Sequence, residues 1–400
     1  MATIKPFRGI LFNKPANSLI APPYDVIDEH YKRQLESGDE HNIVRIILPD
    51  DYDKAAELLN AWLSSGILKF DSHCNYYIYQ AQYSLFGQTR TLKGFIGALR
   101  LEPLGGCVKP HEKTLKGPKI DRFNLITRTH ASFCPIVGLY GPNRQIAQHI
   151  DEVTETTNPV IDLEFEGIRH RLYRDPDSLF GEGLKGSDII IADGHHRYET
   201  ALMIQEHFRK QGIVNGGFDY IMSLFVDAEN GGLSLLAIHR LVKRVDNPSL
   251  FMERLKEFFE LRRLERATLH VPRHCDFVMY FDKSFYCLSL RQKRSADPIR
   301  SLDVSVFEEI VYKRILGLSD DDIRLQRTAG YAHSPEELIR AVDENEAQAG
   351  FILKPMKFED LMLITSKGLT VPQKSTFFFP KIPSGLVGYH FDSIKGCEGV

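Results

Sequence analysis

Ile189-Ile190-Ile191-Ala192 runs directly into Asp193-Gly194-His195-His196-Arg197, and this junction constrains the fold more than any other stretch of the chain. A short β-branched run reads as a buried strand and Asp-Gly is a turn signal; Tyr198, Ala201, Leu202 and Phe208 then mark one face of a helix. A buried strand feeding a helix calls for an α/β protein. The alternation continues on either side, with a strand expected over residues 42–48, a helix over 53–63, strands over 76–85 and 91–101, and a helix from Asp121. Residues 220–226 and 233–238 flank Glu229-Asn230-Gly231-Gly232 and are expected to pair as a hairpin. Beyond Pro248, helices are expected over 251–261, 304–316, 335–342 and 357–364, and strands over 277–281, 284–290 and 350–354. The expected division places residues 1–245 in a core that holds the Asp-Gly-His-His-Arg box and 246–400 in a C-terminal α/β lobe contributing to the site; one interlocked body also fits.

With 43% hydrophobic and 26% charged residues, 400 residues suffice for a large core. The apolar runs are far shorter than the roughly 20 residues that cross a bilayer, so no membrane partner is expected. Residues 1–9 carry Lys5, Pro6 and Arg8 but no apolar signal core, which points to the cytoplasm. Six cysteines are scattered without a C-x-x-C pair and are expected to be reduced. A net charge of -3 gives no global attraction to nucleic acid and leaves room only for local basic patches such as residues 109–128, so no nucleic-acid partner is expected. The sequence is silent on oligomeric state.

The box carries the clearest chemistry. The first amides of a helix lack intrahelical partners and carry the positive end of its dipole, so such a terminus is a ready anion site. Gly194 lets backbone approach a ligand, Arg197 offers a planar fork for phosphate, and His195 and His196 can donate to oxyanions or move protons. Asp193 can hold a metal such as Mg²⁺, orient a histidine or act as a base. The alternative makes Asp193 an N-cap and leaves the histidines solvated.

A second group, His111-Glu112-Lys113-Thr114 with Lys119, Asp121 and Arg122, mixes both charge signs around Gly117-Pro118. Glu112 can accept a hydroxyl proton, and Lys113, Lys119 and Arg122 can neutralise phosphoryl charge. The competing reading is a solvated loop and a salt-bridged helix start. Pro22-Pro23 can hold Tyr24 and Asp25 at a site or simply form a packing turn. His239 and Arg240 end a strand and need either a ligand or a structural partner. Lys374, Ser375 and Thr376 can donate to phosphate, yet no P-loop, G-x-G-x-x-G or G-x-S-x-G pattern occurs.

Taken together, the segments Ile4-Lys5-Pro6-Phe7-Arg8, Ala21-Pro22-Pro23-Tyr24-Asp25-Val26-Ile27, His111-Glu112-Lys113-Thr114, Asp121-Arg122, Ala192 to Tyr198, His239-Arg240-Leu241 and Pro372 to Thr376 resemble a bacterial and archaeal family. That family is known as domain of unknown function number one thousand and fifteen. The box also resembles the phosphate-binding box of the ParB/sulfiredoxin superfamily, which includes kinases acting on free L-serine. The resemblance implies a ParB/sulfiredoxin-like core with a mixed sheet, elaborated by further α/β segments. It implies phosphoryl transfer to free L-serine, giving O-phospho-L-serine, with Mg²⁺ accompanying a nucleotide or pyrophosphate donor. On that reading Asp193, Gly194, His195, His196 and Arg197 form the phosphate and catalytic box, and Glu112, then Asp25, are candidates for the base. Tyr24, Lys113, Thr114, Lys119, Arg122, His239, Arg240, Lys374 and Ser375 are candidates for binding phosphate or substrate. Rival readings are a nucleotide-binding regulator and a hydrolase releasing phosphate from the same cradle. His195 stands where sulfiredoxins need cysteine, which disfavours that chemistry.

Overall fold

The computed structural model describes residues 2–112, 118–177, 179–229 and 231–397, with only the backbone of Pro118 and Arg324. The chain divides into two compact units, the first made of Met1–Leu233 with Pro380–Val400 and the second of Ser234–Phe379. The break thus falls earlier than residue 245, and the C-terminal segment joins the first unit. Backbone pairing is the reason. Ala21 and Ser384 exchange hydrogen bonds of 3.2 and 2.7 Å, Ile10 and Gly388 exchange two of 2.8 Å, and Tyr389–His390 pairs with Ala131–Ser132.

The first unit is built on a nine-stranded sheet ordered Val108–Pro110, Ile189–Asp193, Ile136–Tyr140, Tyr220–Asp227, Gln88–Arg100, Tyr76–Leu85, Ile168–Asp175 and Ile161–Phe165, with Ile4–Lys5 added beside Gln88–Arg100. Ile189–Asp193 runs parallel to Val108–Pro110 and antiparallel to Ile136–Tyr140, which is itself parallel to Tyr220–Asp227. The sheet is therefore mixed, in keeping with the α/β expectation. Phe95 stacks on Phe180 and Phe225 at 4.2 and 5.0 Å between ring centres. The helix His195–Lys210 drops Tyr198 into this core, where its hydroxyl donates to the Glu102 carbonyl at 2.8 Å. Burying a side chain of that size contributes about 2 kcal/mol and fixes which face of the helix looks inward.

Two expected elements differ here. Residues 42–48 hold a helical turn, Val44–Ile47, because the Asn42 side chain accepts from the Val44 amide and donates to the Ser18 and Ile20 carbonyls. A short apolar run does not by itself separate a strand from a buried turn. The hairpin at Gly231-Gly232 does not form: both edges of Tyr220–Asp227 are already paired, and Ser234–Leu236 pairs with Phe377–Phe379 instead. Gly232, at φ 70°, passes so close to Thr91 that a Cβ would sit 1.9 Å from its carbonyl oxygen. The glycine permits a close backbone crossing here.

The second unit carries a six-stranded antiparallel sheet ordered Phe259–Arg263, Ser284–Leu290, Phe277–Phe281, Ala349–Ile352, His239–Val242 and Ala329–Ala332. The helix expected over 251–261 ends at Phe258 and Phe259 starts a strand; that over 304–316 splits into Asp303–Phe307 and a π-helix, Glu308–Ile315. The cysteines correct a further expectation. Cys74 is bonded to Cys397 within the first unit and Cys275 to Cys287 within the second, with Cα atoms 5.7 and 5.5 Å apart. Folding brings these sulfurs together across sequence separations that motif spacing does not register. Among the described residues, no helix is long and apolar enough to cross a membrane.

Candidate functional site

The box lies where Ile189–Asp193 hands over to the helix His195–Lys210, and Gly194 makes the turn in the left-handed region at φ 93°. A Cβ at Gly194 would stand 2.7 Å from Ile136 Cγ2, so glycine is required both by backbone conformation and by space. As N-cap it supplies no side-chain oxygen, and the first turn, His195-His196-Arg197-Tyr198, contains no acid. The dipole of a sixteen-residue helix is thus left to Asp193 and to whatever anion approaches.

Asp193 is held from two sides. Lys381 Nζ lies 2.5 Å from Oδ1, and Arg197 Nη2 donates to Oδ2. Burial alone would push this carboxyl up, but Lys381 and Arg197 together hold it well below the usual carboxylate range. Both oxygens are engaged by cations, so Asp193 does not fit the part of a magnesium ligand. Arg197 is 8% exposed, and its Nη1 donates to Cys134 Sγ at 2.8 Å and to the Pro135 carbonyl. Its fork, expected to meet phosphate, is turned inward and locks the turn to the neighbouring strand.

A pair of imidazoles in edge contact stands beside it, ring centres 4.6 Å apart. His111 Nδ1 donates to the Ile191 carbonyl at 2.6 Å, and its backbone amide donates to His195 Nε2 at 3.2 Å. Because Nε2 accepts, the proton of neutral His195 belongs on Nδ1, which lies 4.0 Å from Glu112 Oε1. Burial lowers His111 to about 4 and drives His195 well below its ordinary value, aided by His111 beside it. His111 is thus tied by its ring to the core strand and by its backbone amide to His195, whose neutral ring stands 4.0 Å from a carboxylate that is 29% exposed. His196, one residue on, is half-buried on the first helical turn.

Tyr24 and Asp25 approach from the N-terminal segment, and the Asp25 carboxylate favours the charged form of Arg197. Arg122 sits over the Tyr24 ring at 4.2 Å and donates to the Ile47 carbonyl at 2.5 Å and to Asp121 at 2.7 Å, so it buttresses Tyr24 and is not open to phosphate. Burial pushes the Tyr24 hydroxyl up to about 12. Lys119 is paired with Glu199 of the box helix. Lys113 and Thr114 lie outside the described residues. The Pro22 carbonyl accepts from the Ser384 hydroxyl at 3.4 Å, so the segment that supplies Lys381 also anchors the turn that supplies Tyr24.

The remaining candidates belong to the second unit. Arg240 is fully buried and spends its guanidinium on the Ile238 and Lys374 carbonyls at 2.9 and 3.0 Å and on Glu308 at 3.4 Å. His239 accepts from the Leu353 amide at 3.2 Å, and the Ser375 hydroxyl donates to the Pro372 carbonyl at 2.5 Å. Arg240 and its neighbours are struts of that unit's interior. Sequence reasoning missed Lys381, Cys134 and the part played by His111. His111 alone left a signal, through its place beside Glu112.

A mixed α/β sheet with a glycine-capped helix terminus, flanked by two cations on one aspartate, defines the class of this protein. The chain belongs to the family described as protein of unknown function (DUF1015), whose model matches residues 4–305. No curated protein matches it. Similar solved structures include a conserved hypothetical protein from Pyrococcus furiosus, at 16% identity and TM-score 0.37 over 69% of this chain and 89% of that one. Others are a free serine kinase in complex with AMP (16%, TM-score 0.37, 70% and 88%) and SbnI with C-terminal truncation from Staphylococcus aureus (10%, TM-score 0.36, 72% and 85%). These likenesses carry no assignment of activity.

Proposed function

We propose that the first unit is a small-molecule kinase that transfers a phosphoryl group to the hydroxyl of free L-serine. The observation that carries the reading is the glycine-capped start of His195–Lys210, which has no side-chain cap, with Lys381, Glu112, His195 and His111 grouped at its flank. Phosphoryl transfer asks a protein mainly to position its reactants and to neutralise equatorial oxygens. Helix amides and the Lys381 ammonium supply that neutralisation, while Asp193 and Arg197 keep the lysine and the turn in place. Glu112 takes the serine proton, and the neutral His195 ring faces its carboxylate with Nδ1 4.0 Å away. The acceptor comes from the resemblance of the box to serine kinases, and the cradle is compatible with ATP, ADP or pyrophosphate as donor. Mg²⁺ enters this reading as the donor's counter-ion, since hard cations of this kind are commonly held by substrate phosphates and one or two carboxylates.

The test is to incubate the purified chain with Mg²⁺, L-serine and each donor in turn and to detect O-phospho-L-serine by mass spectrometry. Product is expected, with Glu112→Gln lowering the rate by about 100- to 10,000-fold. Nucleotide binding without product would replace the kinase by a regulator. Phosphate release independent of serine would replace it by a hydrolase.

A further inference from the structure

The second unit contains a cavity of about 520 Å³, walled on one side by the π-helix Glu308–Ile315 and on the other by the stretch after Leu290. Its volume lies within the range of small-molecule sites, roughly 300–1,000 Å³. π-Helical turns are rare and recur at functional positions, because the widened turn sacrifices regular hydrogen bonding to re-aim side chains.

The charges around the cavity are unevenly matched. Arg294 is held by Asp276 at 2.7 Å and Asp303 at 2.5 Å, Lys313 by Asp320 at 2.6 Å and Arg314 by Glu309 at 2.9 Å. Glu308 is committed to the buried Arg240. Lys293 and Arg300 also line the cavity, both exposed, and among the described residues neither forms an ion pair. Among the lining residues the Ser305 hydroxyl oxygen is buried without a hydrogen-bond partner, a condition that in a native fold calls for an explanation. Leu290, Val306 and Ile310 give the same cavity an apolar side.

We propose that this cavity is a binding site for a small organic phosphate. Lys293 and Arg300 would neutralise the phosphate, the Ser305 hydroxyl would donate to one of its oxygens, and the apolar wall would cover the body of the molecule. With two unpaired cations and a hydroxyl among the lining residues, the cavity offers more donors than the two oxygens of a carboxylate can use, whereas a phosphate can take them all. The proposal is independent of the kinase reading, which concerns the first unit.

Hydrogen exchange read by mass spectrometry on the full chain tests it, with AMP and inorganic phosphate as probes and adenosine as the phosphate-free control. AMP is expected to slow exchange across residues 290–315 and adenosine to leave it unchanged. The double variant Lys293→Ala/Arg300→Ala, which removes two exposed side chains with no ion pair, should need about tenfold more AMP for the same slowing. Ser305→Ala should weaken it in the same direction, while Gly194→Ala in the first unit should leave the signal at 290–315 intact. Absence of slowing there with both AMP and inorganic phosphate overturns the proposal, as does slowing that survives the double variant.

Discussion

His111 and His170 are both buried and both lowered to about 4 from an ordinary value near 6.5. In each, burial opposes the charged ring; His111 donates to the Ile191 carbonyl and His170 lies 2.7 Å from the Tyr79 hydroxyl. An unfolded chain protonates these rings below about pH 6.5 whereas the folded one resists until about pH 4, so the unfolded state binds more protons throughout that window. Stability should therefore fall as pH drops from 6.5 towards 4, by at most about 3 kcal/mol for each ring. Urea midpoints taken across that range should show the slope, and His170→Gln should flatten it; a slope unchanged by the substitution would remove His170 from the account. Legibility at this scale follows contiguity. Asp193 to Arg197 stood out because five polar or glycine residues adjoin a buried strand. Lys381 did not, because only the return of the C-terminal segment brings it 2.5 Å from Asp193. The same holds for Cys134, whose sulfur is positioned by a neighbouring strand. Arg197 was legible as a residue but not in its direction, since sequence does not say which way a fork faces.

The strand–turn–helix element depends on Gly194 more than on any side chain. Gly194→Ala would force an L-residue to φ 93° and set its Cβ against Ile136 Cγ2, which should cost about 1–3 kcal/mol. It should also shift the first helical amides away from any phosphate they hold. Thermal melts and phosphate titration of the variant measure the two effects separately, and a variant as stable as the parent would show that the turn relaxes freely. Elements with sustained periodicity were readable: residues 53–63 are contained in Tyr52–Ser64 and 335–342 in Pro335–Asp343. Both helices begin at an Asp or Ser side chain that accepts from amides of the first turn. The hairpin at Gly231-Gly232 was misread because glycine pairs signal a tight turn and a close backbone crossing alike. Only strand pairing, a tertiary fact, separates the two.

At the scale of the molecule, the second unit is an insertion whose entrance and exit are zipped together, with Ser234 opposite Phe379. Paired residues of adjacent antiparallel strands stand about 5 Å apart, so Leu233 and Pro380 can be joined by a short linker. Replacing Ser234–Phe379 by a few Gly and Ser residues should leave a first unit that melts cooperatively and keeps the Cys74–Cys397 bond, by circular dichroism and thiol counting. A product without a cooperative transition would mean that the first unit needs the second to fold. No composition shift marks the insertion, which is why its limits escaped a reading of the chain.

The return of residues 380–397 to the first unit also bears on how the protein is made. A ribosome delivers Ala21, Cys74 and Asp193 early, then works through all of Ser234–Phe379 before it reaches Lys381, Ser384 and Cys397. During that interval the aspartate lacks its lysine and the proline turn lacks its anchor. Nascent chains stalled inside the insertion therefore carry the entire Asp-Gly-His-His-Arg motif and still lack a finished site.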